Sequence, residues 1–152
     1  MLFAAGLGTR MGALTADRPK PLIPVGGRPL IDHALDLVAE AGISKTVVNL
    51  HYLPGMIRDH LGGRAGIAFS DESDRLLETG GGLMKAREML GPGPVFTMNS
   101  DAVWSGGNPL RHLSVQWDDA SMDALLLLVP TARATGHRGK GDFDISPEGQ
   151  LH

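Results

Sequence analysis

Short apolar runs alternate with segments of helical periodicity along most of the chain. Five short runs rich in apolar or β-branched residues predict buried strands. They cover residues 2–5, 46–50, 66–70, 95–99 and 125–129. Between them, apolar residues recur at helical spacing and predict helices over residues 30–41, 56–61, 83–90 and 108–117. A hairpin is predicted to begin at residues 143–146 and to turn at residues 147–149.

Strands that are apolar on both faces and that alternate with helices predict an α/β protein. The expected architecture is three-layer α/β/α, with a mainly parallel, Rossmann-like sheet covered by helices on both sides. Ligands bind beyond the carboxyl ends of the strands in such a sheet. The loops that follow residues 5, 50 and 99 are therefore where chemistry is expected. No repeat or linker interrupts residues 1–152, which we interpret as one domain.

Composition excludes several classes of protein. The 152 residues include no cysteine, so a disulfide scaffold, a thiolate nucleophile and a Cys-ligated zinc site are all excluded. A net charge of −3 provides no general positive field for nucleic acid, so any anion site must be local. The six histidines form no zinc motif. The longest apolar run is too short to span a membrane, and we expect a cytoplasmic chain without membrane or nucleic acid partners.

The 21 glycines and 10 prolines punctuate apolar segments, and they are concentrated in the loop after the first predicted strand. Gly6 and Gly8 would let backbone N–H groups approach a phosphate closely. Met11 stands where the dinucleotide fingerprint needs its third glycine, and the chain contains no P-loop motif. Arg10 and the proline-flanked Lys20 could hold a polyphosphate. These residues alone leave open that both are ordinary surface charges beside common turns.

The segment from residue 2 to residue 30 closely resembles the signature of the sugar-1-phosphate nucleotidyltransferases. The match has no gaps, and it continues at Asn49, at residues 78–82 and at residues 99–101. Residues that carry it are Gly6, Gly8, Thr9, Arg10, Leu14, Thr15, Pro19, Lys20, Pro21, Leu22, Pro24 and Val25. The resemblance implies the nucleotide-diphospho-sugar transferase type of fold. It also implies transfer of a nucleotidyl group from a nucleoside triphosphate to a sugar 1-phosphate, with release of pyrophosphate.

Residues 49–53, 57–61, 77–82 and 137–143 look most like the uridylyltransferases of this family that act on N-acetylmuramate 1-phosphate in cell-wall recycling. The mannose-1-phosphate guanylyltransferases share the first signature and a similar second loop, so the base and the sugar stay open. A non-catalytic domain that binds a nucleotide or a nucleotide sugar is a further alternative. The presence of Arg10, Lys20 and Asp101 together favours the enzyme, because a binding domain does not need the metal carboxylate.

The resemblance assigns a role to each matching position. Arg10, Lys20 and Asp101 would be catalytic, and Asp101 would bind Mg²⁺, which prefers oxygen ligands and phosphate oxygens. Nucleotide binding is expected from Ala5, Gly6, Gly8, Thr9, Arg10, Lys20, Thr79, Gly80 and Gly81. Sugar binding is expected from Asn99, Gly141 and Asp142. The plain alternatives are an aspartate that caps a turn, a glycine-rich helix entrance and a simple strand entrance.

Other polar and apolar residues receive simpler interpretations. Asp71, Glu72, Asp74, Asp118 and Asp119 are predicted to be solvated loop charges. His51 is expected to line the cleft, and Met84 and Met89 are expected to pack in the core. The family's second metal-binding aspartate and further sugar contacts would lie beyond His152, so we expect this domain to lack its C-terminal part. A few residues are likewise expected before Met1.

Overall fold

The computed structural model describes residues 1–136, 139–147 and 149–151. A four-stranded parallel sheet forms its centre. Its strands are β1 (Leu2–Phe3), β4 (Thr46–Leu50), β5 (Ile67–Asp71) and β6 (Met98–Asn99), and they lie in the order β5-β4-β1-β6. A small antiparallel hairpin contains β2 (Pro24–Val25) and β3 (Arg28–Pro29). The α-helices are α1 (Leu30–Glu40), α2 (Pro54–Leu61), α3 (Glu78–Leu90) and α4 (Pro109–Gln116).

Two hydrophobic clusters cover the two faces of the sheet. One joins Val48 and Leu50 of β4 to buried residues of α1 and α2, such as Ile31 and Ile57. The other joins Val47 to Ala86 of α3, together with Met1 and partly buried residues of the same helix. Successive residues of β4 point to opposite faces, and both faces are apolar. The mainly parallel, three-layer α/β/α architecture predicted from the sequence is confirmed.

Local signals explain where the helices begin and end. Pro29 precedes α1 with a φ that suits the first turn, and Gly42 follows it with φ +76°, which glycine adopts at little cost. The side-chain oxygen of Asn108 accepts hydrogen bonds from the N–H groups of Leu110 at 2.9 Å and Arg111 at 3.3 Å. These bonds satisfy donors that a helix N-terminus leaves unpaired.

The structure differs from the sequence prediction in several places. Two strands are shorter than predicted, since β1 ends at Phe3 and β6 begins at Met98. Residues 125–129 form no strand, since they have no ladder with a neighbour in the described part of the chain, and the side chains of Leu126 and Val129 are exposed. Helix α3 begins at Glu78, five residues earlier than predicted. Met84 is wrongly predicted as core, since it is 65% exposed, whereas Met89 packs against the second cluster.

Only part of the predicted C-terminal hairpin can be described. Ile145 and Leu151 form an antiparallel bridge, and Ser146 N–H donates to Gln150 O at 2.9 Å. Glu148 of the turn, and residues 137 and 138 of the segment used for the closer resemblance, lie outside the described residues. Every helix in the described ranges is too short or too polar to cross a lipid bilayer.

Candidate active site

A cleft of about 360 Å³ opens at the carboxyl ends of β1, β4 and β6. Its position follows from the fold, because the loops after parallel strands meet at one edge of the sheet. The lining residues are Phe3, Ala4, Ala5, Gly6, Lys20, Pro21, Asn49, Leu76, Glu78, Thr79, Asn99 and Asp101. The cleft therefore joins the glycine loop after β1, the entrance of α3 and the residues that follow β6.

The loop after β1 is folded tightly around Gly8. This residue has φ +66°, and a Cβ there would lie 2.9 Å from Thr15 Cγ2 and 3.2 Å from Lys20 Cβ. Thr15 is buried, and its hydroxyl donates to Gly8 O at 3.1 Å. A side chain at position 8 would therefore displace Thr15 or Lys20. The glycine is needed both for its backbone conformation and for the close approach of Lys20.

Tyr52 ties this loop to the end of β4. Its hydroxyl donates to Thr15 O at 3.0 Å, across 37 positions of the chain. Tyr52 follows β4 by two residues. The bond therefore fixes the folded glycine loop relative to the second of the three strand ends that form the cleft.

Lys20 and Asp101 form an ion pair across the cleft. Lys20 Nζ donates to Asp101 Oδ2 at 2.6 Å, although the two residues are 81 positions apart. Lys20 begins a short 3-10 helix, Lys20–Leu22. The prolines on either side of Lys20, Pro19 and Pro21, are buried and restrict the backbone. The side chains are 27% and 38% exposed, so both charges are accessible from solvent. An accessible ion pair of this kind can exchange its partners with a charged ligand.

Ser100 sets the position of Asp101. Its N–H and its hydroxyl both donate to Phe3 O, at 3.2 Å and 2.6 Å, and its side chain is buried. The strand register places Phe3 opposite Asn99. These contacts join the ends of β1 and β6, and they leave the side chain of Asp101 at the mouth of the cleft.

A buried polar pair supports another side of the cleft, where Asn49 lines the wall and Glu72 lies behind it. Asn49 is 2% exposed, and its Oδ1 accepts from Ala4 N–H at 2.7 Å. Its Nδ2 donates to Glu72 Oε1 at 2.9 Å, and Glu72 is 0% exposed. The prediction that Glu72 is a solvated loop charge is wrong. Glu72 directly follows β5, at the same sheet edge as the other site residues, and this strand-end position was the signal in the sequence.

The neighbouring Asp71 does behave as an exposed charge. Hydrogen bonds from Ser73, followed by the Arg58 guanidinium at 2.7 Å, hold the pKa of Asp71 well below its usual range. Arg58 also stacks over the ring of Phe69, 5.0 Å from its centroid. The two successive carboxylates, Asp71 and Glu72, thus point into opposite environments, as expected at the end of a strand.

The entrance of α3 forms the third side. Leu77 N–H donates to Glu72 Oε2 at 3.4 Å, and Glu78 has the left-handed φ of +58°. The first N–H groups of a helix have no intrahelical acceptor, so those near Thr79 and Gly80 can meet a ligand. At Gly82, a Cβ would lie 2.7 Å from Glu72 Oε1 and 3.0 Å from Asn49 Nδ2. The glycine run therefore lets α3 pack directly against the buried pair.

The structure brings together some of the predicted site residues. Six line the cleft: Ala5, Gly6, Lys20, Thr79, Asn99 and Asp101. Five others lie in the adjoining first loop or the first turns of α3: Gly8, Thr9, Arg10, Gly80 and Gly81. Gly141 and Asp142 are exposed, and Gly141 lies beside Thr131 instead of the cleft. The roles given to all these residues stay predictions.

The cleft offers a sparse set of metal ligands. Across the described ranges, no three His, Cys, Asp or Glu side chains lie together as a ready-made metal site. Asp101 supplies one accessible carboxylate at the mouth of the cleft. This donor set suits Mg²⁺, which keeps several waters and combines one or two carboxylates with substrate phosphates.

The family profile of the MobA-like NTP transferase domain matches residues 1–137. The chain belongs to the MobA-like NTP transferase family. The resemblance found in the first loop is thereby confirmed at the level of the family. A nucleotidyl transferase from Methanothermobacter shares the fold, with a TM-score of 0.65 over 77% of this chain and 56% of that chain, at 21% identity.

Two kinds of curated relative match different shares of this chain. An N-acetylmuramate alpha-1-phosphate uridylyltransferase from Caulobacter vibrioides is 42% identical over 98% of the chain. The chain spans 65% of the length of that relative. A mannose-1-phosphate guanyltransferase from Aspergillus oryzae is 36% identical over 68% of the chain, which spans 30% of that protein.

Proposed function

We propose that this domain transfers a nucleotidyl group from a nucleoside triphosphate to a sugar 1-phosphate and releases pyrophosphate. The observation that carries the proposal is the accessible Lys20–Asp101 ion pair, 2.6 Å long, at the carboxyl edge of the sheet. Glycine-rich backbone on both sides of this pair offers N–H groups to phosphates. The cleft thus combines one cation, Lys20, with two carboxylates, Glu78 and Asp101, and with bare amides. Such groups are what phosphoryl transfer needs.

In the proposed reaction, a phosphate oxygen of the sugar 1-phosphate attacks the α-phosphorus of the triphosphate. The new P–O bond forms as the bond to the β-phosphate bridging oxygen breaks, and pyrophosphate leaves with that electron pair. No nucleophile from the protein is required. The chain therefore has to position the two substrates and offset negative charge, which agrees with a cleft that contains no cysteine.

Lys20 would contribute most to charge neutralisation. Its ammonium is a movable point charge, so it can turn from Asp101 to the reacting phosphates when the nucleotide binds. Arg10 and the amides of Gly6, Gly8 and Thr9 would hold the rest of the triphosphate. The folding of this loop around Gly8 keeps it close to Lys20 and supports this division of roles.

Asp101 would hold Mg²⁺ together with phosphate oxygens of the substrate. When bound, the ion would neutralise charge that develops on those oxygens. Loss of the Lys20 contact would leave the Asp101 carboxylate available to the cation. The ion pair and the metal site are thus two states of the same carboxylate in this proposal.

We further propose that the base is uracil and that the sugar is N-acetylmuramate. The support is the identity of 42% over nearly the whole chain to a relative of that activity, against similarity to a guanyltransferase over 68% of the chain. Thr79, Gly80 and Gly81 would meet the nucleoside through main-chain groups. Asn99, Gly141 and Asp142 would contact the sugar.

Pyrophosphate release by the full-length protein tests this function. UTP, dTTP, GTP and CTP are each combined with several sugar 1-phosphates in the presence of Mg²⁺. We expect release with UTP and N-acetylmuramate 1-phosphate. Release only with GTP and mannose 1-phosphate would keep the reaction but overturn both specificities. No release with any pair would overturn the proposed function.

A further inference from the structure

Glu72 is a buried carboxylate that the proposed mechanism does not use. Among the described residues, the groups hydrogen-bonded to its carboxylate are the Asn49 amide at 2.9 Å and Leu77 N–H at 3.4 Å, both neutral. Burial of a carboxyl group with only neutral donors is costly. The position of Glu72 therefore needs an explanation beyond core packing.

The contacts of Asn49 and Glu72 connect the two loops of the cleft. Asn49 Oδ1 holds Ala4 N–H at the end of β1, two residues before the glycine loop begins. Glu72 Oε2 meets Leu77 N–H at the entrance of α3. The pair thus spans the distance between the backbone proposed to hold the triphosphate and the amides proposed to hold the nucleoside.

The surroundings of the pair fix this distance closely. Glu72 N–H donates to Leu50 O at 2.7 Å, and Glu72 O contacts His51 Nδ1 at 2.6 Å, so its backbone is held on both sides. Gly82 leaves no room for a side chain beside the two polar groups. The pair is therefore packed without space for an alternative geometry.

We propose that Asn49 and Glu72 are positioning residues for the nucleoside triphosphate, through the spacing between the glycine loop and the N-terminus of α3. The inference rests on the proposed function for its ligand. Neither residue has to touch the reacting atoms. A change in the pair should separate the two halves of the nucleotide site, and so weaken nucleotide binding more than sugar phosphate binding.

A charge exchange within the pair gives a direct test. Asn49→Asp places two carboxylates where a 2.9 Å hydrogen bond now lies. Glu72→Gln brings an amide N–H against either Leu77 N–H or the Asn49 amide. In the double variant Asn49→Asp/Glu72→Gln, the glutamine can donate to the aspartate and accept from Leu77 N–H. Ala4 N–H keeps its acceptor, so all three contacts are restored with the charge moved to the other residue.

Asn108→Asp is the matched control. Asn108 Nδ2 donates to Leu37 O at 2.8 Å and joins α4 to α1, and Asn108 does not line the cleft. The substitution removes this hydrogen bond and a second one to Glu40 Oε2 at 3.4 Å, and it keeps the oxygen that caps α4. It therefore reproduces the chemical change, a new carboxylate beside a glutamate, without a contact to either loop.

The measurements are the KM for each substrate and amide hydrogen exchange, both well below the unfolding temperature of every variant. We expect Asn49→Asp to raise the KM for UTP by roughly 10- to 100-fold with the KM for the sugar 1-phosphate little changed. Exchange should accelerate together in the two segments that the pair holds, at Ala4 N–H and at Leu77 N–H. Both effects should be reversed in the double variant and absent in Asn108→Asp.

An unchanged KM for UTP in Asn49→Asp, or exchange that accelerates in only one segment, would overturn the positioning role. Failure of the double variant to recover would overturn it as well. If the unmodified protein releases no pyrophosphate with any substrate pair, the proposed function fails. The dissociation constant for UTP, measured by calorimetric titration, then replaces KM. Together with the exchange data, it tests whether Asn49 and Glu72 position the nucleotide.

Discussion

Lys20 and Asp101 on one side of the cleft are partly exposed charges, whereas Asn49 and Glu72 on another side are buried and joined by neutral hydrogen bonds. The exposed pair contributes little to stability, because solvent screens it and its side chains lose entropy when they pair. The buried pair is expensive to disturb. The comparison indicates that one side is suited to contact a ligand and the other to hold the backbone in place.

Loss of the cation should have the largest effect on turnover. We expect Lys20→Ala to lower kcat/KM by about 10²- to 10³-fold, by analogy with removal of an oxyanion donor. The unfolding temperature should change little, since Lys20 is paired only near the surface. Lys85→Ala, which removes an exposed pair with Asp74 away from the cleft, is the control for charge alone. Near-normal turnover of Lys20→Ala would remove Lys20 from its role.

Adding a side chain beside the buried Asn49–Glu72 pair should have the next largest effect, and the quantity affected is stability. We expect Gly82→Ala to lower the free energy of unfolding by about 1 to 3 kcal/mol, because the new Cβ would overlap Glu72 and Asn49. Gly80 has open space at its Cβ position. Gly80→Ala should therefore leave stability unchanged or raise it by about 0.4 to 1 kcal/mol. Equal denaturation midpoints for the two variants would contradict the tight packing.

A polar cluster outside the cleft provides a smaller effect. Asp32 on α1 accepts from Arg64 at 2.8 Å and contacts His60 at 2.9 Å, and these partners hold its pKa below the usual value despite desolvation. A lowered folded-state pKa adds stability above about pH 4, the unfolded value, and the contribution is lost as pH falls through the folded-state value. We expect Asp32→Asn to cost about 1 kcal/mol at neutral pH.

Urea denaturation at several pH values measures this contribution. The difference between the unmodified protein and Asp32→Asn should shrink below pH 4, and kcat/KM should be unaffected because Asp32 lies outside the cleft. Asp36→Asn, which breaks an exposed pair with Arg28, is the matched control and should change stability less. A difference that persists unchanged in acid would show that the carboxylate charge is not responsible.

The sequence was sufficient for elements whose signals are local. The buried run of β4, the Gly42 stop of α1 and the Asn108 cap of α4 each lie within a few residues of the element they define. Residues 125–129 have the composition of a strand, but a strand also needs a neighbour for its hydrogen bonds. Only the three-dimensional structure shows that no ladder forms there in the described part of the chain.

The site shows the same division. Lys20 and Asp101 are predicted to share a site only through the family resemblance, because no local pattern connects two residues that lie 81 positions apart. Glu72 was interpreted as solvated because charges are usually exposed, and its amide partner lies 23 positions away. Its burial is a tertiary property. The feature in the sequence that indicates its location is its position directly after β5, at the same sheet edge as Asn49 and Asp101.

Titration with UTP, with and without Mg²⁺, tests most directly the claim that the exposed pair receives the nucleotide. The comparison uses the unmodified protein, Lys20→Ala and Asp101→Asn. We expect Mg²⁺ to strengthen UTP binding to the unmodified protein but not to Asp101→Asn. Lys20→Ala should bind UTP more weakly than the unmodified protein, both with and without Mg²⁺. UTP affinity that is the same in all three proteins would contradict the account.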